Sequence, residues 1–366
     1  MKNIVFVLLL SCMTVSCKQT PAGEDAIRAF NIDFNMGTGG RHGFAAPGQY
    51  ADADPAAHVQ WYADMGCNVI HSFAVSCNGY AWYKNGFVPE QPGLKHDFLK
   101  EEVQLARAHN MKVMAYFCIG ANNKWEDDHP DLCYRADGMQ IPLTRVYLDY
   151  LCASIEDAIR KTDVDGIMLD WFYNPGGGKG DRPPLRWIPC EEEMYRELMG
   201  EDFPGKENIT KEQEVTFRQK AIGRAWKKIR TVAKGAKPDC IIWLTAFEIK
   251  SEEYENNALL KEVDWLMNEA GDRESTRAMH DLTGPNTRLI TCLARWNRQN
   301  PLEIVPDAAE QNVGLYGFRT PDAGTILPPI SGYLSASLDT LKGDDLNMAV
   351  LARYFNGLPI NFPTGK

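Results

Sequence analysis

The segment VDGIMLDW at residues 164–171 is the clearest fold signal in this sequence. Its apolar run, 167–169, follows an Asp-Gly pair and ends at Asp170 and Trp171. A short, uninterrupted apolar run is typical of a strand that is covered on both faces, as strands of parallel sheets are. An acidic residue that ends such a strand is expected at the carboxyl edge of the sheet, where barrel proteins place their active sites.

Seven further segments show the same pattern, and amphipathic segments separate them. The predicted strands are 30–35, 68–75, 112–119, 164–171, 240–247, 263–269, 287–294 and 313–319. Helical spacing of apolar residues predicts helices at 55–65, 94–110, 144–162, 211–236, 254–261, 274–282, 303–311 and 345–357. Eight successive strand–helix units predict an α/β fold, a single-domain (β/α)8 TIM barrel. A doubly wound open sheet is the alternative, but no G-x-G-x-x-G follows the first strand.

The barrel domain is predicted over residues 28–366, and its longest connection, 173–210, follows the fourth strand. A loop of that length in a compact domain usually has a function. We therefore expect it to lie over the mouth of the barrel.

The first 17 residues indicate export. Lys2 precedes an apolar run, 4–10, which is typical of a secretory signal peptide. The run continues to Val-Ser-Cys17, which resembles a bacterial lipobox, so Cys17 is the predicted lipidation site; Cys12 is a competing one. Residues 18–27 read as a tether. The expected location is the bacterial cell envelope, lipid-anchored in the periplasm or at the outer-membrane surface.

Composition limits the partners. The chain of 366 residues has 39 basic and 49 acidic residues and a net charge of −10. An acidic chain is a poor match for nucleic acid, and we expect membrane contact only through the lipid anchor. The ten cysteines include no C-x-x-C pair, which argues against zinc ribbons and thioredoxin chemistry. Neither a metal nor a cofactor is predicted.

Acidic residues stand at the predicted ends of three successive strands: Asp170, Glu248 and Glu269. Because the strand ends of a barrel meet in one funnel, these carboxyl groups are expected to lie close together. Two carboxyl groups about 5–5.5 Å apart suit retaining cleavage of a glycosidic bond, whereas about 6.5–9.5 Å suits inversion. The sequence predicts a glycoside hydrolase and leaves open both the stereochemistry and the choice of Glu248 or Glu269 as acid/base.

Other strand ends carry side chains suited to binding a carbohydrate. Polar groups would contact hydroxyls and aromatic faces would stack on sugar C–H surfaces; the candidates are Asp33, His71, Tyr116, Trp171, Arg295 and Trp296. One alternative is a non-catalytic glycan-binding lipoprotein, in which neither Glu248 nor Glu269 would face Asp170. A metal-dependent barrel hydrolase would need His-x-His on the first strand, and that motif is absent.

Residues 164–171 resemble the strand-four signature of α-L-fucosidases and of related hypothetical glycosyl hydrolases. The preceding joint at 63–70 and the helix–strand segment 98–116 are similar to the same families. The resemblance covers about 30–235 and implies a carbohydrate substrate, Asp170 as nucleophile and Glu269, ahead of Glu248, as acid/base. The fucosidase His-Trp-Gly element is absent from strand one, so the sugar and linkage stay open, as does the oligomeric state.

Overall fold

The computed structural model describes residues 26–134, 141–172, 186–255 and 257–360. The predicted signal peptide, Cys17 and most of the tether lie outside the described residues. Within them, eight parallel strands pair in chain order and form a closed barrel. They are β1 Arg28–Ile32, β2 Val69–Val75, β3 Lys112–Cys118, β4 Gly166–Asp170, β5 Ile241–Ala246, β6 Trp265–Asn268, β7 Arg288–Leu293 and β8 Gly314–Arg319. The predicted fold class is confirmed.

Helices separate the strands and cover the outside of the barrel. They are α1 Pro55–Met65, α2 Phe98–Ala108, α3 Asn123–Asp128, α4 Arg145–Thr162, α5 Pro189–Met199, α6 Lys211–Ala236, α7 Leu259–Glu262, α8 Arg273–Leu282, α9 Pro301–Glu310, α10 Ile330–Ser335 and α11 Gly343–Phe355. A capping box, in which Thr210 and Gln213 satisfy each other's backbone amides, starts α6 at the predicted residue. None of the helices in the described ranges is long and apolar enough to span a membrane.

The glycine in the Asp-Gly pair before the strand-four run is required by packing. A Cβ atom at Gly166 would lie 2.3 Å from the carbonyl oxygen of Ile241 on β5 and 2.5 Å from Cε of Met114 on β3. Both distances are far shorter than van der Waals contact. The backbone of β4 therefore approaches its neighbours at a point that only glycine allows.

Several element boundaries differ from the prediction by a few residues, and two of the differences have a local cause. β1 ends at Ile32 rather than 35, because Asp33 binds the backbone amides of the next residues and turns the chain. The helix predicted at 254–261 is shorter, since 252–254 forms a 3-10 turn before α7.

The long connection after β4 is only partly described. Residues 173–185 lie outside the described ranges. In the part that follows, Trp187 stacks on Phe203 at 4.4 Å and lies against Phe217 of α6 at 5.5 Å. None of residues 186–210 lines the cavity at the barrel mouth. That the connection as a whole lies over the mouth stays a prediction.

Candidate active site

A cavity of about 530 Å³ opens at the carboxyl ends of the strands. Its wall combines aromatic side chains with five carboxyl groups, those of Asp33, Asp170, Glu248, Glu253 and Glu269. Volumes of this size are typical of pockets that enclose small organic ligands. The three strand-end acids singled out from the sequence therefore line one cavity.

Asp170, the last residue of β4, is held by two hydrogen-bond donors. The hydroxyl of Tyr116 donates to Oδ2 at 2.8 Å, and the backbone amide of Trp171 donates to Oδ1 at 2.9 Å. Burial raises the pKa of Asp170 to about 6, although both donors favour the charged form. The carboxylate is thus fixed in orientation and ionises near neutral pH.

The backbone that follows Asp170 adopts an unusual conformation. Trp171 has φ = 53°, in the left-handed region that bulky residues rarely occupy. The same residue donates its amide to the Asp170 carboxylate. Strained residues of this kind persist where the surroundings fix them, and they cluster at functional sites.

Glu269 directly follows β6 and is half-buried in the cavity wall. Its backbone is fixed on both sides: its amide donates to Ala246 O at 3.0 Å, and Asn297 Nδ2 donates to its carbonyl at 3.2 Å. Burial raises the pKa of Glu269 well above its ordinary value, and the negative charge of Asp170 raises it further. The hydroxyl of Thr245 opposes this shift. Asp170 and Glu269 therefore interact as a pair.

Glu248 also lines the cavity, but its charge affects the pKa of Glu253 rather than that of Glu269. Its charge is one cause, after burial, of the raised pKa of Glu253, which reaches about 7 against the opposing effect of Arg218. Glu253 lies in the 3-10 turn after β5 and was missed by the sequence analysis. Of the two glutamates left open there, Glu269 is the one that is electrostatically paired with Asp170.

The carboxylate of Asp33 is almost fully occupied by donors from the protein. Oδ1 accepts the backbone amide of Asn35 at 2.9 Å, and Oδ2 accepts that of Met36 at 2.9 Å and the hydroxyl of Thr320 at 3.0 Å. Burial raises its pKa to about 6, and the charge of Asp170 adds to this shift. Although it lines the cavity, Asp33 is engaged in shaping the turn after β1.

His71 and Tyr116 stack on each other inside the barrel, with ring centroids 5.3 Å apart and an interplanar angle of 21°. Burial lowers the pKa of His71 to about 3, so the imidazole is neutral. Both residues line the cavity, as expected for strand-end candidates.

The aromatic candidates lie at the cavity, whereas the cationic one does not. Trp171 and Trp296 line it, and Trp296 is 40% exposed and packs edge-on against Phe318 at 4.7 Å. Arg295, which follows β7, is exposed and is absent from the lining. The placement of Arg295 at the site, predicted from the strand end, is not supported by this geometry.

The eight described cysteines are free thiols, and seven of them are buried. No group of three or more His, Cys, Asp or Glu side chains in the described ranges is arranged to hold a metal ion.

The comparisons with known proteins agree with the barrel fold. Residues 54–171, which end just after Asp170, match the family described as Hypothetical glycosyl hydrolase 6. α-L-Fucosidase isoenzyme 2 from Paenibacillus thiaminolyticus is a structural neighbour, with a TM-score of 0.61 and 16% identity over 89% of this chain and 49% of that one. The chain thus spans about half the length of this fucosidase. No curated protein matches the sequence significantly.

Two weaker structural neighbours have TM-scores of 0.48. An α-L-fucosidase from Bacteroides thetaiotaomicron is 10% identical over 84% of this chain and 60% of that one. An α-amylase from Geobacillus thermoleovorans is 13% identical over 90% and 78%. The match at 54–171 confirms the predicted resemblance to the hypothetical glycosyl hydrolases, and the molecule has the fold of a (β/α)8 barrel.

Proposed function

We propose that this protein is a retaining glycoside hydrolase in which Asp170 is the nucleophile and Glu269 the acid/base. One observation carries the proposal: the two carboxyl groups, from the ends of β4 and β6, line one cavity, and the charge of Asp170 raises the pKa of Glu269. Paired carboxyl groups whose pKa values are driven apart are the hallmark of an acid and a nucleophile in one site.

The resting protonation states suit this chemistry. Asp170, with a pKa of about 6, is mainly a carboxylate at neutral pH, while burial and the Asp170 charge both favour the protonated form of Glu269. In the first step, Asp170 attacks the anomeric carbon as Glu269 gives its proton to the glycosidic oxygen. The bond to the leaving group breaks, and an ester of Asp170 with the sugar forms.

The second step returns both residues to their initial states. The Glu269 carboxylate takes a proton from water, whose oxygen attacks the anomeric carbon and breaks the ester. The hydrogen bonds from Tyr116 and Trp171 to Asp170 support the role of nucleophile, because they make the carboxylate a weaker base and a better leaving group. A base that activates water in an inverting reaction would not benefit from them.

The alternative, a glycan-binding barrel without catalysis, required that neither glutamate face Asp170. The electrostatic pairing of Asp170 with Glu269 favours the hydrolase instead. Aromatic residues at the cavity, among them Trp171 and Trp296, supply the flat apolar surfaces on which a carbohydrate substrate would stack.

The decisive experiment combines product stereochemistry with rescue by azide. Wild-type protein is screened against aryl glycosides, and ¹H NMR follows the anomer formed first, which retention requires to match the substrate. With a good leaving group and azide, E269A should give a glycosyl azide of retained configuration, and D170A one of inverted configuration. An inverted wild-type product, or undiminished activity in D170A, would contradict the assignment. E248A serves as the matched control, and its activity should depend on the pKa of the leaving group as that of the wild type does.

We further propose export to the bacterial cell envelope and lipid anchoring at Cys17, in the periplasm or at the outer-membrane surface. The support is the apolar run that precedes Val-Ser-Cys17. Metabolic labelling with a radioactive fatty acid should mark the full-length protein and not C17A, and C12A should label like the wild type. Equal labelling of C17A and wild type would contradict the site.

A further inference from the structure

Three polar side chains of the barrel wall meet between β1, β2 and β8. Asn31, His71 and Tyr316 line the cavity, and each is only 2% exposed. The register pairs Phe30 with Ile70, so Asn31 and His71 are the next neighbours along β1 and β2. Tyr316 closes the group from the other side, with its hydroxyl 2.9 Å from Nδ1 of His71.

The hydrogen-bond directions in this group follow from its donor count. The hydrogen bond between Asn31 and Tyr316 lowers the pKa of the phenol, as a bond donated to its oxygen does. The Asn31 amide NH₂ is therefore the donor and the Tyr316 oxygen the acceptor. The single hydroxyl proton of Tyr316 is then directed to Nδ1 of His71. A neutral imidazole that accepts at Nδ1 carries its proton on Nε2.

Two polar atoms of this group remain without a partner. Neither Nε2 of His71 nor Oδ1 of Asn31 has a hydrogen-bond partner among the residues that the structure describes. One is a donor and the other an acceptor, on adjacent strands. A buried polar atom without a partner is costly, so a pair of them beside a cavity indicates that a ligand group completes the network.

We propose that Asn31 and His71 form a subsite for one hydroxyl group of the bound sugar, with Nε2–H of His71 donating to its oxygen and Oδ1 of Asn31 accepting its proton. A hydroxyl is the group that both accepts and donates at a single atom. The substrate class is a glycoside whose sugar carries a free hydroxyl at this position. Deoxygenated, O-alkylated or O-acylated analogues leave the acceptor of Asn31 unpaired.

The subsite is linked to the reacting groups. His71 stacks on Tyr116, and Tyr116 donates to Asp170, so the hydroxyl would be recognised next to the proposed nucleophile. Sites built to hydrogen-bond a substrate hydroxyl reject the analogue that lacks it by large factors, up to about 10⁴–10⁵. The inference rests on the proposed function for its sugar ligand, but it is tested by binding rather than by turnover.

The test uses the wild type, N31A, H71F and the control H58F, which removes a buried histidine outside the cavity lining. Calorimetry measures the binding affinity of D-glucose, D-galactose, D-mannose and L-fucose, and then that of the monodeoxy congeners of the sugar that binds most tightly. We expect one congener to bind the wild type and H58F at least about tenfold more weakly than its parent sugar. N31A and H71F should bind parent and congener alike. Circular dichroism checks that each variant is folded. If H71F does not fold, the result for N31A alone tests the proposal.

The proposal is overturned if no sugar binds, if no congener is discriminated, or if the variants discriminate as the wild type does. Aryl glycoside turnover is measured on the same preparations. If the protein turns over aryl glycosides but the variants still discriminate between parent sugar and congener, the proposed hydrolase function stands and the proposed subsite is wrong. If the variants lose this discrimination but the wild type shows no turnover, the subsite stands and the proposed function is wrong.

Discussion

The phenolic hydroxyl of Tyr116 donates a hydrogen bond to Oδ2 of Asp170 across 2.8 Å and so joins the ends of β3 and β4. The two strands are direct neighbours, with Cys118 in register with Asp170. Since a donor to a carboxylate stabilises its charged form, Tyr116 opposes the effect of burial on Asp170. The barrel register therefore positions a donor that lowers the pKa of the proposed nucleophile against the larger effect of burial.

Replacing Tyr116 by phenylalanine should raise the pKa of Asp170. A hydrogen bond to a charged group contributes about 1.5–3 kcal/mol, which corresponds to roughly one to two pKa units. The acidic limb of the kcat/KM profile, expected near pH 6 in the wild type, should move to higher pH in Y116F. Y147F is the matched control, because Tyr147 is a buried tyrosine whose hydroxyl binds Ile119 O and does not line the cavity. An unmoved acidic limb in Y116F would contradict this coupling.

Removing the charge of Asp170 should lower the pKa of Glu269. The Asp170 charge is the second cause, after burial, of the raised Glu269 pKa. In D170N, a ¹³C NMR titration of labelled glutamate should therefore find Glu269 ionising at lower pH than in the wild type. The resonance of Glu253, whose pKa shift arises from burial and from Glu248, should not move. Identical Glu269 titrations in both proteins would show that the two carboxyl groups do not interact.

Neutralising Glu269 should stabilise the fold at neutral and alkaline pH. Its pKa is raised in the folded state, so the folded protein binds more protons than the unfolded chain once the pH exceeds about 4.5. Stability is therefore lost as pH rises from that value through the folded-state pKa. The Tm of E269Q should equal that of the wild type near pH 4.5 and exceed it by a few degrees at about pH 8. A Tm difference independent of pH would contradict this account.

Much of this fold was readable from the sequence because each strand is a compact apolar run. β4, β5 and β6 were predicted within a few residues, and their acidic ends, Asp170 and Glu269 among them, line the cavity. Alternation of strands and helices determines which strand ends share a funnel, so such residues can be found without coordinates.

The site residues that the sequence did not predict, or predicted wrongly, have a different origin. Asn31 and Tyr316 lie within strands rather than at their ends, and only the barrel closure between β1 and β8 brings them together. Glu253 comes from a turn whose position depends on packing against α6. Arg295 was placed at the site because it directly follows the predicted strand 287–294; its side chain is exposed and does not line the cavity.

Trp296 is expected to bind substrate without supporting the fold. It is 40% exposed and contacts Phe318 at the cavity. W296A should raise KM by about tenfold with little change in kcat, because a stacking platform acts alike on ground and transition states. Its Tm should remain close to that of the wild type. The neighbouring R295A tests the sequence prediction for that residue, and the structure leads us to expect an unchanged KM. A fall in kcat of W296A at constant KM would contradict a platform role.

The close approach of β4 to β5 at Gly166 should be intolerant of any side chain. In G166A, the new Cβ would lie 2.3 Å from Ile241 O and 2.5 Å from Met114 Cε, and the backbone contact cannot be relieved without moving β4 away from β5. We expect a loss of more than about 4 kcal/mol in unfolding free energy, or failure to fold. G235A is the matched control: a Cβ on Gly235, near the end of α6, would meet nothing within 4 Å. Alanine there should stabilise the protein by about 0.5–1 kcal/mol, since glycine is unfavourable inside a helix. Urea unfolding measures both variants, and a G166A protein as stable as the wild type would refute the close packing of β4 against β5.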